Sequence, residues 1–248
     1  MHRFYLGPEQ WNPDALTLTG TEAHHGRNVL RLEAGDKIVV FDGRGHEVTA
    51  EIISADSSDI RLRKVHEAKT PPLRCQITLG QAIPKGKNMD LIVQKAVEIG
   101  AAEIAPILSD RTVVRLDEES AASKQSKWQT IAIEAAKQCG QNWLPRVQVP
   151  QTMAQFFQQS RRFDLQLIGS LQSDAVHLKE ILAEYSAEHG DRPASVLMLV
   201  GPEGDFTPAE LSLARSHGCR PITLGPIVLR VETASIYCLS VLSYELLV

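Results

Sequence analysis

The hydrophobic period of this chain changes at one place, Lys69-Thr-Pro-Pro72, and that change divides it into two modules of different construction. Before it, apolar residues alternate with polar ones. Asp36-Lys-Ile-Val-Val-Phe-Asp42 leads into a Gly43-Arg-Gly45 turn and Glu47-Val-Thr-Ala-Glu-Ile-Ile53. A polar Ser/Asp turn and Asp59-Ile-Arg-Leu-Arg-Lys-Val65 follow. Period-two patterning with turn chemistry between the runs predicts a small antiparallel sheet or barrel over residues 1–70. Within it, Thr21–Arg31 predicts a short helix capped by Thr21. Adjacent prolines disfavour both helix and central strand, so residues 69–72 read as a linker.

Beyond the prolines, strand and helix patterns alternate. Strands are expected at Gln76–Ile83, Glu103–Leu108, Leu165–Gly169, Ser195–Val200 and Arg220–Leu224. Helices are expected at Met89–Ile99, Glu118–Gln138, Met153–Gln159, Val176–His189, Pro208–Ser216 and Ala234–Leu247. This predicts an α/β domain over residues 73–248, with a largely parallel sheet covered on both faces.

Composition excludes more than it selects. With 26 basic and 30 acidic residues the net charge is −4, so no overall basic character points to nucleic acid. The charge is uneven, however. Between Arg61 and Lys95 eight Lys/Arg face only Glu67 and Asp90, a stripe that either binds phosphates or is simply solvated. The four cysteines are scattered without C-x-x-C spacing, which predicts reduced thiols in a cytoplasmic protein, two or more of them buried. No apolar run follows the amino-terminal charges, so no signal peptide is expected, and no stretch of 18 apolar residues predicts a membrane span. His24 and His25 lack a carboxylate cluster, so no metal site is expected. Hydrolase chemistry has no recognisable nucleophile turn.

Two segments carry the strongest functional signal. The strands Ser195–Val200 and Arg220–Leu224 each run into a Gly/Pro loop that opens a helix: Gly201-Pro-Glu-Gly-Asp-Phe-Thr-Pro208 and Leu224-Gly-Pro-Ile-Val-Leu-Arg-Val-Glu-Thr-Ala-Ser235. Loops at the carboxyl ends of strands are where open α/β sheets bind ligands. The first loop is neither G-x-G-x-x-G nor a Walker loop, and Glu203 and Asp205 would repel phosphate. An adenosine or amino-acid moiety fits better than a polyphosphate. In the second, Arg230 either stabilises an anion on a substrate or pairs with Glu232 to tie the loop. Lys85 and Lys87 follow the first strand of the α/β module, placed to meet phosphates, while Lys95 and Glu98 suit a local ion pair. A helix ending at Gly140 presents Gln138, Gln141 and Asn142, amides that read base edges or satisfy loop backbone.

Six blocks together resemble a known family. These are Lys85-Gly-Lys, Gln94-Lys-Ala-Val-Glu-Ile-Gly100, Asp110-Arg-Thr-Val-Val, Glu134-Ala-Ala-Lys-Gln-Cys, Gly201-Pro-Glu-Gly and Leu224-Gly-Pro-x-x-Leu-Arg-x-Glu-Thr-Ala234. They resemble the RsmE family of 16S rRNA (uracil-N3) methyltransferases, in the SPOUT superfamily. His24–Arg31, Gly35-Asp36 and Phe41-Asp-Gly43 match that family's amino-terminal domain. The resemblance implies a PUA-like RNA-binding β-barrel followed by a SPOUT-type α/β methyltransferase domain with a carboxyl-terminal trefoil knot. It implies S-adenosylmethionine (SAM) as cofactor, held by Leu199, Gly201 and Glu203 from one loop and Leu224, Gly225 and Leu229 from the other. It also implies a homodimer, for which the apolar last helix (Ile236, Leu239, Val241, Leu242, Leu246) suits either the core or the interface. The sequence departs from the family where Asp205 replaces a frequent second glycine and Ile227 a frequent arginine.

The implied reaction is methyl transfer to N3 of a specific uridine (uridine 1498 in the family) in 16S rRNA of the small ribosomal subunit. Arg230 and Glu232 then become the catalytic candidates. Arg27, Arg31, Lys85, Lys87 and Asn142 become the RNA-binding candidates. The alternatives are a SPOUT enzyme acting on another rRNA or tRNA base, and a non-catalytic RNA-binding assembly factor.

Overall fold

A computed structural model describes residues 1–56, 59–112 and 116–247. The polar turn around Ser57 and Ser58, and Val113 and Val114 of the Asp110-Arg-Thr-Val-Val block, lie outside the described residues. The chain divides into two compact units, Met1–Pro72 with Ile133–Leu144, and Leu73–Ala132 with Pro145–Val248.

The first unit contains β1 (Arg3–Tyr5), β2 (Thr17–Leu18), β3 (Lys37–Phe41), β4 (His46–Ala55) and β5 (Ile60–Lys69). They form one sheet in the order β1-β3-β4-β5-β2, antiparallel except for β1 against β3. The alternation read from sequence is a burial pattern here: Val48, Ala50, Ile52, Ile60 and Leu62 join Phe4, Leu6, Leu18, Ile38 and Val40 in one core. The turn between β3 and β4 requires glycine. At Gly45 φ is +95°, and a Cβ would lie 2.6 Å from the Thr70 carbonyl oxygen.

Two expectations change in this unit, and two short strands have no counterpart in the sequence pattern. The short helix is α1 (Gly20–His24) continuing into a π-helical turn at His25–Val29, and Thr19, not Thr21, precedes it, without a side-chain cap. β1 and β2, of three and two residues, are too short to carry a period. β5 runs on to Lys69, beyond Val65, because it stays paired with β4; its second half is mostly exposed and shows no alternation, so the sequence does not mark it.

The second unit runs β6 (Gln76–Ala82), α2 (Asn88–Ile99), β7 (Glu103–Leu108), α3 (Glu118–Cys139), β8 (Arg146–Val147), β9 (Gln151–Thr152), α4 (Met153–Gln158) and β10 (Leu165–Gly169). It continues with β11 (Val176–His177), α5 (Leu178–His189), β12 (Ser195–Val200), α6 (Pro208–Ser216), β13 (Arg220–Thr223) and α7 (Val231–Leu246). The end of α3, from Ile133, belongs to the first unit. Every strand pair in the second sheet is parallel, in the order β11-β13-β10-β12-β6-β7-β8, with β9 also on β7.

The two faces of this sheet are covered differently. Ala82, Leu197 and Leu199 pack with Met153, Phe156 and Phe157 of α4 and Leu211 and Ala214 of α6. Gln81 points the opposite way, and there Ser235 of α7 donates to its side-chain oxygen, both residues fully buried. β12 lies so close to β6 that a Cβ on Gly80 would meet Leu199 Cδ2 at 2.4 Å.

The helix expected over Val176–His189 starts at Leu178, because Val176 and His177 pair with β13. The last helix starts at Val231, three residues before the expected Ala234, with Arg230 as its N-cap. That places Glu232 in its first turn, where the helix dipole favours a carboxylate.

Candidate functional site

Four neighbouring parallel strands, β13, β10, β12 and β6, end on the same edge of the second sheet. The segments leaving them surround a cleft of about 750 Å³. Its walls are Gly169–Gln172 after β10, Val200–Glu203 with Asp205 after β12, Thr223–Glu232 with Ala234 after β13, and Asn88 at the start of α2. Both loops singled out from sequence therefore meet in one site. The loop after β10 was missed, although Leu165–Gly169 repeats the same pattern of an apolar strand ending in glycine.

Of the predicted cofactor residues, Gly201, Glu203, Leu224, Gly225 and Leu229 line the cleft. Leu199 does not: its side chain is fully buried in the core shared with α4 and α6, where it covers Gly80. Gly225 has φ +108°, a conformation that glycine adopts without strain. At Gly201 the limit is space, since a Cβ would lie 3.2 Å from both Asp205 Oδ1 and the Phe206 nitrogen.

Asp205 occupies a left-handed conformation, φ +61°, at the position where the family resemblance often places a second glycine. Its carboxylate stabilises that turn by accepting from the Phe206 amide at 2.7 Å and the Leu171 amide at 3.4 Å. Glu203 accepts the backbone N–H of Lys85 at 2.9 Å, so it ties the loop after β12 to the loop after β6. Three carboxylates (Glu203, Asp205, Glu232) and one guanidinium (Arg230) line the cleft. This balance suits a ligand carrying positive charge and disfavours a polyphosphate. Ile227 and Val228, each 73% exposed, stand at its rim.

The tying ion pair between Arg230 and Glu232 is absent. Glu232 Oε2 accepts instead from Asn88 Nδ2 at 3.0 Å, and Arg230 is exposed with no side-chain partner among the described residues. Asn88 was not singled out from sequence, where it is one polar residue in a loop of several.

The remaining predicted residues are distributed as follows. Lys85 and Lys87 are exposed on the turn before α2, around Gly86 at φ +70°. Arg31 is exposed with φ +55°, and Arg27 is half-buried, in the first unit. Asn142 is buried there, and its amide is used up: Nδ2 donates to Glu47 and Thr70, each at 2.9 Å, while Oδ1 accepts from Arg3. No amide atom is left to read a base edge, so Asn142 ties the Ile133–Leu144 segment into its unit. Lys137 of the same block bonds Glu22 at 3.0 Å.

The basic stripe also resolves into pairs. Arg61, Arg63, Lys64, Arg74 and Lys95 bond Asp56, Glu51, Glu67, Asp191 and Glu98 respectively. Lys69, Lys85 and Lys87 have no ion pair among the described residues. Among the described residues no His/Cys/Asp/Glu group could hold a metal ion, and no helix is long and apolar enough to cross a membrane.

Known proteins resemble this chain over nearly its whole length. Residues 71–243 match the model of an RNA methyltransferase domain, and residues 18–65 that of an RNA methyltransferase PUA domain. The ribosomal RNA small subunit methyltransferase E of Bacillus subtilis (strain 168) is 33% identical over 235 residues, covering 93% of this chain and 90% of the relative. A methyltransferase from Legionella pneumophila, solved with the bound cofactor SAM, superposes with TM-score 0.87 at 33% identity, covering 98% and 97% of the two chains. The ribosomal RNA small subunit methyltransferase E of Neisseria gonorrhoeae bound to S-adenosyl methionine gives TM-score 0.86 at 31% identity, covering 99% and 98%.

Proposed function

The chain belongs to the RsmE family of SPOUT RNA methyltransferases, with a PUA-like domain before an α/β methyltransferase domain, and from that premise we propose that it methylates N3 of a specific uridine in 16S rRNA of the small ribosomal subunit, using SAM. The observation that carries this is the cleft itself. Loops from adjacent parallel strands converge there, its glycines admit close backbone approach, and its carboxylates suit a sulfonium and an ammonium group. In this reading residues 1–70 bind RNA and residues 73–248 carry the reaction. The loops 201–208 and 224–235 are the two sides of the trefoil knot.

Bound SAM supplies an electrophilic methyl group on its sulfonium. The residues of this chain prepare the acceptor. Uracil N3 becomes a useful nucleophile only as its proton leaves, which builds negative charge on the ring oxygens. Arg230, exposed at the cleft mouth and without a side-chain partner among the described residues, stabilises that charge. Glu232, held by Asn88, orients the base or accepts the N3 proton through water. Base pairing uses the N3 edge, so the target uridine enters unpaired and splayed from its stack. Lys85, Lys87, Arg27 and Arg31 position its phosphates.

The working form is a cytoplasmic homodimer. Leu239, Leu242 and Leu246 are spent in the core, but Tyr237 and Tyr244 of α7 and Leu91 of α2 stay exposed, available to a second copy. Light scattering should return twice the chain mass.

The deciding experiment incubates purified protein with labelled SAM and small subunits lacking the modification, then maps the methyl group by mass spectrometry. A label at uridine N3 supports the reading. A label on another base, or none under conditions where SAM binds, overturns it.

A further inference from the structure

The cofactor loop is held from outside the cleft as well as from within. Glu210, in the first turn of α6, is buried, yet its carboxylate accepts four hydrogen bonds. Two close the cap of its own helix, from the Thr207 backbone N–H at 2.8 Å and the Thr207 hydroxyl at 3.0 Å. Two come from the turn after β7, about 100 residues away in sequence: the Ser109 hydroxyl at 3.1 Å and the Asp110 N–H at 3.0 Å. The next residue of that turn, Arg111, donates from its guanidinium to the Gly204 carbonyl. A helix cap needs only the Thr207 contacts. The others join the ends of two neighbouring segments: the loop after β12 lines the cleft, and the Ser109–Thr112 turn stands outside its described walls.

We propose that Glu210 and Arg111 are positioning residues for cofactor binding: they lock the Gly201–Thr207 loop against the Ser109–Thr112 turn, so that its backbone is set before SAM arrives. The inference rests on the reading of the cleft as the SAM site. Its physical content is preorganisation. A loop whose carbonyl and helix cap are already fixed loses less conformational freedom on binding, and the difference appears as affinity. Neither residue touches the reacting atoms, so the effect falls on binding more than on turnover.

The test uses the full-length protein with Arg111→Ala, Arg111→Lys and Glu210→Gln. SAM affinity is measured by calorimetry on the free protein, kcat and KM for SAM on small subunits, and melting temperature without SAM. For Arg111→Ala, Kd and KM for SAM should rise about tenfold while kcat falls no more than about twofold. Arg111→Lys, which keeps a donor, should recover most of the affinity. Arg111 is exposed, so Arg111→Ala should melt within about 2 °C of the wild type, which separates positioning from folding. Glu210→Gln places amide hydrogens against N–H and O–H donors and should weaken SAM further. Unchanged SAM affinity in Arg111→Ala, or equal losses in the lysine and alanine variants, would overturn the proposal. Failure of the wild type to bind SAM would sink the reading of the site itself.

Discussion

The Glu232 carboxylate is held by the side-chain amide of Asn88, 3.0 Å away at the start of α2, and not by Arg230 two residues before it. Arg230 has no side-chain partner among the described residues, and Glu232 is fixed by an uncharged partner. Replacing Arg230 by alanine should lower kcat by about 10²–10³-fold, with SAM affinity within about threefold of the wild type. Asn88→Ala should cost roughly tenfold in kcat, because Glu232 stays present but loses its orientation. Single-turnover methylation of small subunits measures both, and near-normal turnover in Arg230→Ala would remove it from the mechanism.

Lys85 and Lys87 differ from most of the basic stripe in that neither ammonium group has an ion pair among the described residues. Removing both charges should weaken small-subunit RNA binding at low salt. The slope of log K against log salt should flatten by about 1.4, the share of two phosphate contacts on single-stranded RNA. An unchanged slope would take this turn out of the RNA footprint. Charge reversal at Arg27 and Arg31 tests the first unit in the same way.

Glu47 should give the first unit an acid-sensitive component of stability. Burial pushes its pKa up, but hydrogen bonds from Asn142 and Arg3 outweigh that, and the carboxyl titrates below its usual 4.5. A depressed folded pKa means stability that is present above 4.5 and lost as the pH falls through the folded value. Glu47→Gln should therefore cost about 2 kcal/mol at pH 7. The gap from wild type should close on acidification below 4.5, as read from urea midpoints. A gap independent of pH would show that packing, not charge, accounts for the loss.

Cysteine reactivity should divide sharply. Burial pushes the thiols of Cys75, Cys219 and Cys238 up to about 12, whereas Cys139 is exposed. Native protein should take up one equivalent of maleimide rapidly at pH 7.5 and the other three only on unfolding. Fast uptake of more than one equivalent would contradict this burial pattern.

Much of the secondary structure could be read directly. Glu103–Leu108, Leu165–Gly169, Ser195–Val200 and Pro208–Ser216 have the expected boundaries, because each apolar run is bounded by glycine, proline or a capping residue. Arg146–Val147, Gln151–Thr152 and Val176–His177 could not be read, since two-residue strands have no period and exist only because a neighbour pairs with them. The start of α7 is hidden from the sequence for a related reason: Arg230 caps it by backbone conformation without a side-chain bond, so no capping residue marks it.

The sequence by itself determined the two-part construction, the parallel sheet and the two Gly/Pro loops, along with the residue types that such loops bring to a ligand. These are properties of local pattern, and the backbone restrictions of glycine and proline act over a few residues. Only the tertiary structure decided that a third loop, Gly169–Gln172, completes the cleft, that Leu199 faces the core, and that Asn142 is spent on Glu47 and Thr70. It also decided that Glu232 belongs with Asn88 and Glu210 with Ser109. These partners lie 144 and 101 residues apart in sequence. Such pairings are set by strand order in the sheet and by the need of each buried polar group for a partner, and a local pattern carries neither.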